Sequence, residues 1–167
     1  MSQHEHKAAA PARVSCFVVT ISDTRSGATD TSGRAIREML TAAGHEVLGS
    51  TIVKDEPADV LRVVSEQVAN PNVHVVITTG GTGLTSRDRT YEALTSLLER
   101  RLDGFGELFR MLSYHDIGAA AMLSRAVAGT VGGTFVAALP GSEGAVRLGM
   151  EKLLVPELTH IVQQLRK

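Results

Sequence analysis

The chain has 167 residues, the size of one domain and long enough to bury a core without disulfides or structural metals. Charged residues make up 21% of the sequence and the formal net charge is −1. This balance provides no overall positive field to hold nucleic acid or an anionic membrane surface, so neither partner is expected. An anionic ligand must therefore be bound by local geometry.

The first twelve residues are polar and alanine-rich and lack the apolar core of a signal peptide. We expect a flexible tail over residues 1–12 and a single domain over residues 13–167. His4 and His6 are assigned to this tail rather than to a metal site. No apolar run reaches membrane-spanning length, which predicts a cytoplasmic protein. The single cysteine, Cys16, lies in an apolar stretch and is expected to be buried and unreactive.

Four short runs rich in β-branched residues are bounded by turn-forming residues, which is typical of buried strands. They are residues 14–20, 46–53, 73–79 and 134–139. Between them, one helical face is predicted to end at Gly44 and a second helix to begin at Pro57. Alternating strands and helices predict right-handed parallel crossovers, with the sheet covered on both faces.

The second half of the sequence is more helical. Two apolar stripes are expected to face the core: Leu94, Leu97 and Leu98, then Phe105, Leu108, Phe109 and Leu112. Residues 127–131 are predicted to form a hairpin with residues 134–139, which adds one antiparallel strand to the sheet. A C-terminal helical pattern is expected to be interrupted at Pro156 and to continue to Leu165.

Four polar loops directly follow predicted strands: residues 20–33, 54–56, 78–88 and 139–144. In open α/β sheets, ligands bind beyond the carboxyl ends of the strands, so these loops are expected to form one cleft. Residues 78–88 read TTGGTGLTSRD, in which glycines allow close backbone approach and amides and hydroxyls can donate to phosphate oxygens. The spacing matches neither GxxxxGK[ST] nor GxGxxG. The alternative is a tight strand-to-helix turn without a ligand.

Two carboxylates in these loops have two interpretations each. Asp55 and Asp88 could cap the helices that follow them, or hold Mg²⁺ against a polyphosphate. Ser142 could be a helix cap or part of an anion site. The nearest cations suit either phosphate binding or surface ion pairs. They are Arg25, Arg87, Arg110 and Arg125.

Six segments carry a resemblance to a known family and occur in the order found there. They are TISDTRS, KDE, TTGGTGLTSRDRTYEA, DGFGELFR, LSRAVAG and LPGSEGAVRLGMEKLLVPEL. Over about residues 13–160 the chain resembles the molybdopterin-binding family of molybdenum cofactor biosynthesis, which includes molybdopterin adenylyltransferases and the gephyrin G domain. It is most similar to the short bacterial protein B branch. The resemblance implies a three-layer α/β/α sandwich, mostly parallel with one antiparallel strand, assembled as a homotrimer or homohexamer. It also implies molybdopterin binding and, in active members, transfer of AMP from Mg-ATP to the terminal phosphate of molybdopterin, with release of pyrophosphate.

The resemblance assigns roles to individual residues. Asp55 and Asp88 match two functional aspartates, expected to be catalytic and to hold Mg²⁺. The expected substrate- and nucleotide-binding residues are Ser22, Asp23, Thr79, Gly80, Gly81, Thr82, Gly83, Pro140, Gly141 and Ser142. The chain departs from the family pattern at Tyr91 and Glu143, where relatives usually have proline. A carboxylate at Glu143 could favour the helix N-terminus and could repel a nearby phosphate.

Two other functions stay open. A noncatalytic molybdopterin carrier or assembly scaffold would share the glycine-rich loop without requiring both acidic positions. A sugar-nucleotide or mononucleotide enzyme is a weaker alternative because it depends on the fold alone.

Overall fold

The computed structural model describes Ser2 and residues 10–167. Its six-stranded sheet consists of β1 (Ser15–Ile21), β2 (Glu46–Val53), β3 (Val75–Thr79), β4 (Arg100–Arg101), β5 (Val127–Val131) and β6 (Thr134–Leu139). The strand order is β2-β1-β3-β6-β5-β4. Strands β2, β1, β3 and β6 are parallel, whereas β5 runs antiparallel to both of its neighbours.

Helices cover both faces of the sheet. They are α1 (Thr31–Ala42), α2 (Pro57–Ala69), α3 (Thr90–Leu97), α4 (Asp103–Ile117), a 3₁₀ helix (Gly118–Leu123), α5 (Glu143–Gly149), a π-helix (Met150–Leu154) and α6 (Val155–Leu165). One core cluster packs α1, α4, α5 and α6 against the sheet, and a second packs α2 and α3 against the opposite face. The three-layer α/β/α sandwich is therefore confirmed.

The continuous apolarity of the central strands follows from this layering. Val75 and Ile77 belong to the first core cluster, whereas Val76 between them belongs to the second. Successive side chains of a strand point to opposite faces, so a strand covered on both sides needs apolar residues throughout. The hairpin between β5 and β6 is also confirmed, with Gly132 in the left-handed region at φ +57°.

Two expectations for the helices need correction. Leu108 was expected in the core but is 47% exposed, while Phe105 and Phe109 are buried. Residue 108 lies at the edge of the apolar stripe, since consecutive helical residues are rotated by about 100°. At the C-terminus, the expected interruption takes the form of the π-helix that ends just before Pro156. Proline cannot donate the backbone hydrogen bond that a regular helix requires there.

Cys16 is fully buried, which confirms the expected burial, and this burial raises the pKa of its thiol to about 12. Most of the expected tail, including His4 and His6, lies outside the described residues. Over the part of the chain that is described, no helix combines the length and apolarity needed to cross a membrane. The cytoplasmic location and the single-domain assignment of residues 13–167 stay predictions.

Candidate functional site

The carboxyl ends of neighbouring parallel strands place the polar loops together. Thr20 of β1 pairs with Thr79 of β3, which in turn pairs with Leu139 of β6. The loops that follow these residues open onto one cleft of about 550 Å³. Eleven of the twelve sequence-predicted site residues line this cleft: Ser22, Asp23, Asp55, Thr79, Gly80, Gly81, Thr82, Gly83, Pro140, Gly141 and Ser142. The remaining residue, Asp88, is not among the lining residues.

The glycine-rich loop lies against the end of β1. Gly80 and Gly81 have φ values of +99° and +69°, a left-handed conformation that favours glycine. A Cβ on Gly80 would lie only 2.2 Å from the carbonyl oxygen of Ile21. The amide of Gly80 donates to the carbonyl of Leu139 at 3.0 Å, so it is used by the fold. Glycine is therefore required at residue 80 by backbone packing, independently of any ligand.

A second loop, at residues 140–142, is held in place by three hydrogen bonds, one of which comes from the glycine-rich loop. Thr79 Oγ1 donates to the carbonyl of Pro140 at 2.8 Å. The carbonyl of Gly141 accepts from Ser32 Oγ at 2.7 Å and from Arg25 Nη2 at 3.0 Å. Arg25 is also 3.5 Å from the Asp30 carboxylate, so its guanidinium is shared between the two contacts. These bonds fix the part of the cleft wall that adjoins Gly80, since a Cβ on Gly141 would lie 3.4 Å from the Gly80 Cα.

Ser142 is confirmed as the N-cap of α5, because its hydroxyl accepts from the amide of Ala145 at 3.3 Å. Its neighbour Glu143 forms an i,i+4 ion pair with Arg147, at 2.9 Å to Nη2. This pairing gives the Glu143 carboxylate a cationic partner within the same helix. The expected repulsion of a phosphate by Glu143 is reduced accordingly.

Asp55 is fixed inside the cleft and does not cap a helix. Its Oδ1 accepts from Thr90 Oγ1 at 2.6 Å, and its amide donates to Asp23 Oδ1 at 3.1 Å. The N-cap position of α2 belongs to Glu56, which makes no side-chain capping bond. A Cβ on Gly81 would lie 3.1 Å from Oδ1 of Asp55, so this carboxylate adjoins the glycine-rich loop. The capping interpretation of Asp55 is wrong.

Asp88 is held within its own loop. Its Oδ2 accepts from the amide of Thr85 at 2.9 Å and also from the Thr85 hydroxyl. The N-cap of α3 is Arg89, so the capping interpretation of Asp88 is wrong as well. A Cβ on Gly83 would lie 2.6 Å from Oδ2 of Asp88. Asp55 and Asp88 thus flank the glycine-rich loop at Gly81 and Gly83, although only Asp55 lines the cleft.

Arg87 connects the rims of three loops. Its Nε donates to Asp23 Oδ2 and its Nη2 to Glu56 Oε1, both at 2.9 Å. The Arg87 guanidinium, together with the amide of Asp55, holds the pKa of the Asp23 carboxyl below its usual range. Both carboxylates raise the pKa of Arg87 in return. Because Arg87 is 57% exposed, these pairs orient the loops more than they stabilise the fold.

The fold and cleft are those of a known family. The family profile described as "Probable molybdopterin binding domain" matches residues 17–160, which include every residue of the cleft. The chain belongs to this molybdopterin-binding family of molybdenum cofactor biosynthesis. It is 52% identical over 168 residues to Molybdenum cofactor biosynthesis protein B of Bacillus cereus, with 100% of this chain and 99% of the relative covered.

Solved structures of the same family agree with the fold. A crystal structure of Molybdenum cofactor biosynthesis protein B superposes with a TM-score of 0.91 at 52% identity, over 94% of this chain and 98% of that one. The tungsten cofactor synthesizing protein MoaB from Pyrococcus furiosus superposes with a TM-score of 0.85 at 38% identity, over 95% and 100% of the two chains. The resemblance inferred from the sequence is therefore confirmed.

In this molybdopterin-binding domain, Arg125 holds the glycine-rich loop from behind. Its Nε donates to the carbonyl of Thr82 at 3.0 Å, and its Nη2 donates to the carbonyls of Gly83 and, at 3.3 Å, Asp88. Its Nη1 pairs with Glu92. In a trans peptide the N–H points opposite to the carbonyl, so the amides that follow Thr82 and Gly83 point away from Arg125.

Tyr91, one of the departures from the family pattern, contributes to this arrangement. Its ring lies 4.5 Å from the guanidinium carbon of Arg125, a cation–π distance. Sequence reasoning named Arg125 as a nearby cation but missed its role in holding the loop. The tyrosine in place of proline was the available signal, because a new aromatic residue beside a glycine-rich loop needs a packing partner.

Proposed function

We propose that the protein binds molybdopterin in this cleft and transfers AMP to its terminal phosphate from Mg-ATP, producing adenylyl-molybdopterin and pyrophosphate. The observation that carries the proposal is the convergence of the glycine-rich loop, the Pro140–Ser142 loop and Asp55 on one cleft of about 550 Å³. A volume of this size is typical of small-molecule and cofactor sites. Membership of the molybdopterin-binding family supports molybdopterin as the ligand.

The proposed AMP transfer depends on positioning the two substrates more than on proton transfer. A phosphate monoester is anionic near neutral pH, so it attacks without a general base. An oxygen of that phosphate forms a bond to the α-phosphorus of ATP while the bond from this phosphorus to the pyrophosphate oxygen breaks. The backbone around Thr82 and Gly83 is proposed to orient the phosphates, since Arg125 already fixes these peptides.

The residues present fit a magnesium ion. Carboxylate oxygens are its preferred protein ligands, and Asp55 and Asp88 flank the same loop. Bound Mg²⁺ would neutralise charge on the phosphate oxygens as the two polyanions approach. Across the described residues, no group of three or more His, Cys, Asp or Glu side chains is placed to hold a metal. The proposed ion therefore takes part of its coordination from ATP.

The side chain of Asp88 must rotate toward the cleft to bind Mg²⁺. Its carboxylate accepts from both the amide and the hydroxyl of Thr85. We expect Mg-ATP to replace these local hydrogen bonds, since a divalent ion is a stronger partner for a carboxylate than an exposed amide and hydroxyl. Asp55 is already in place, supported by Thr90.

The position of Asp88 favours one alternative, a noncatalytic molybdopterin carrier, because only one of the two acids lines the cleft. Equilibrium binding of ATP with and without Mg²⁺ separates the two functions. A transferase should bind ATP more tightly with Mg²⁺, and Asp88→Asn should remove that gain. A carrier should bind molybdopterin but show no Mg²⁺-dependent ATP binding, and that result would reject the transferase.

The oligomeric state proposed for the protein is a homotrimer or a homohexamer. An exposed ridge on α4 repeats every third residue: Leu108, Met111, Tyr114 and Ile117. Consecutive members are neighbours on the helix, so the row winds around α4 and exposes apolar side chains of the kind that mark protein interfaces. Light scattering coupled to size-exclusion chromatography should give three or six chains per particle. A monomer at micromolar concentration would reject this assembly.

A further inference from the structure

Thr90 joins Asp55 to the glycine-rich loop. It is the first residue of α3 and is fully buried. Its hydroxyl donates to Oδ1 of Asp55 at 2.6 Å. On the other branch of the side chain, a Cβ on Gly81 would lie 2.8 Å from Cβ and 3.0 Å from Cγ2 of Thr90, so the methyl group packs against the Gly81 backbone. Both branches of one side chain are therefore in use beside the cleft.

The two branches of Thr90 fix each other's direction. Threonine carries two heavy atoms on Cβ, which restricts its side-chain rotamers. The methyl group that packs against Gly81 therefore also holds the hydroxyl toward Asp55. The Asp55 residue is only half-buried, so this hydrogen bond orients its carboxylate more than the surrounding core does.

The hydrogen bond makes the two oxygens of the Asp55 carboxylate unequal. Oδ1 accepts from the hydroxyl, whereas no residue in the described part of the chain donates a hydrogen bond to Oδ2. An oxygen that already accepts a short hydrogen bond is a poorer metal ligand than the one beside it. Because Asp55 lines the cleft, it offers a ligand there one strong oxygen rather than an equal pair.

The number of oxygens that a carboxylate offers affects which divalent ion it suits. Ca²⁺ takes more oxygen ligands at longer distances and can bind both oxygens of one carboxylate, whereas Mg²⁺ requires a small, near-regular octahedron. A single oxygen in a fixed direction suits Mg²⁺ better. We infer that Thr90 makes the proposed site select Mg²⁺ over Ca²⁺ by fixing Asp55 as a one-oxygen ligand. This inference rests on the proposed binding of Mg-ATP and concerns the choice of ion, not AMP transfer itself.

Two substitutions separate the branches of Thr90. Thr90→Val keeps the shape and the packing against Gly81 but removes the hydroxyl, so the Asp55 carboxylate can rotate and offer both oxygens. Thr90→Ser keeps the hydroxyl and removes the methyl group. Thr134→Val is the matched control, because Thr134 is also a buried threonine and lies at the opposite end of β6 from the cleft.

The experiment is an equilibrium titration with ATP at saturating Mg²⁺, at saturating Ca²⁺ and without a divalent ion. Wild-type protein should bind Mg-ATP more tightly than Ca-ATP. Thr90→Val should weaken Mg-ATP binding by about tenfold and Ca-ATP binding by less than about twofold, since the lost hydrogen bond involves a charged group. Thr90→Ser should keep the ratio of the two affinities within about threefold of wild type, because it keeps the hydroxyl. Thr134→Val should match wild type with both ions.

The ratio of the Mg-ATP and Ca-ATP affinities distinguishes the choice of ion from a general structural role. A variant that only loosens the fold weakens ATP binding equally with both ions, and urea unfolding of each variant measures that loosening directly. An unchanged ratio in Thr90→Val overturns the inference. A fall of the ratio in Thr90→Ser as large as that in Thr90→Val overturns it as well, because the hydroxyl would then not be the cause.

The outcomes separate this inference from the transferase proposal. Pyrophosphate release by wild-type protein, together with an unchanged ratio in Thr90→Val, would overturn the role of Thr90 and leave the transferase standing. A ratio that falls in Thr90→Val but not in Thr90→Ser supports the role of Thr90 even if no pyrophosphate is released. Equal wild-type affinity for ATP with either ion overturns the inference, and ATP binding that is independent of divalent ions overturns the magnesium site with it.

Discussion

Arg125 and Thr82 are joined by a 3.0 Å hydrogen bond from the guanidinium Nε to the backbone carbonyl, 43 residues apart in sequence. The same guanidinium reaches the carbonyls of Gly83 and Asp88. One side chain therefore sets the peptide orientations of the loop proposed to hold phosphate. A planar fork of donors can do this, whereas a single ammonium cannot.

Arg125→Lys is accordingly expected to loosen the loop while keeping the charge. Amide hydrogen exchange at Gly83 and Leu84 should become faster, and Mg-ATP affinity should fall by about tenfold, since hydrogen bonds involving a charged group are worth about 1.5–3 kcal/mol each. Tyr91→Phe, which keeps the ring beneath the guanidinium, and Arg62→Lys, in a surface pair with Glu66, serve as controls. Unchanged exchange in Arg125→Lys would mean that the loop holds its shape without this residue.

Gly80→Ala should destabilise the whole fold. The residue has φ +99°, and its new methyl group would lie 2.2 Å from the Ile21 carbonyl oxygen. We expect the free energy of unfolding in urea to fall by about 2 kcal/mol or more. Gly27→Ala is the control, because a Cβ there meets nothing within 4 Å. Equal stability of the two variants would contradict the packing argument.

His45 should make stability depend on pH. Burial lowers its pKa from the ordinary value of 6.5, and its Nδ1 accepts from the amide of Val14 at 3.3 Å, which requires the neutral ring. The unfolded chain therefore takes up a proton before the folded chain does, so stability is lost as pH falls below about 6.5. The free energy of unfolding should decrease from about pH 7 to pH 5.

His74 adds to this dependence, since burial and the nearby Arg166 lower its pKa in the same direction. Replacing His45 with glutamine should make the pH dependence shallower without removing it. A slope identical to that of wild type would show that His45 is not a source of the effect.

Cys16 should report global unfolding. Its thiol is fully buried with a pKa of about 12, so the reactive thiolate is scarce in the folded protein at mildly alkaline pH. A chromogenic disulfide reagent should modify it only as fast as the protein unfolds, and urea should accelerate the reaction in parallel with loss of circular dichroism. Rapid modification of folded protein would place Cys16 in a locally opening segment instead.

The sequence predicted the layered fold because the core strands carry uninterrupted apolar runs that few other structures require. Residues 46–53, 127–131 and 134–139 form strands with the predicted bounds. β4 was missed, since two exposed arginines at the sheet edge carry no periodic signal. Leu108 was misplaced because spacing alone does not locate the edge of a helical stripe.

The cleft was predictable for a related reason: loops after adjacent parallel strands must meet at one edge of the sheet. The spacing of residues in the sequence could not predict which way a side chain points within a loop. Asp88 binds Thr85, three residues earlier, and this local competition keeps it out of the cleft lining. The hydrogen-bond partners of Arg125 could not be predicted from the sequence either, because they are backbone carbonyls distant in sequence.

Pyrophosphate release in the presence of molybdopterin and Mg-ATP tests the proposed reaction most directly. Wild-type protein should release pyrophosphate only when both substrates are present. Asp88→Asn should keep the fold and lower the rate by at least about tenfold, equivalent to roughly 1.4 kcal/mol in the barrier. Failure of wild-type protein to release pyrophosphate while it binds molybdopterin would contradict the transferase account and leave a carrier.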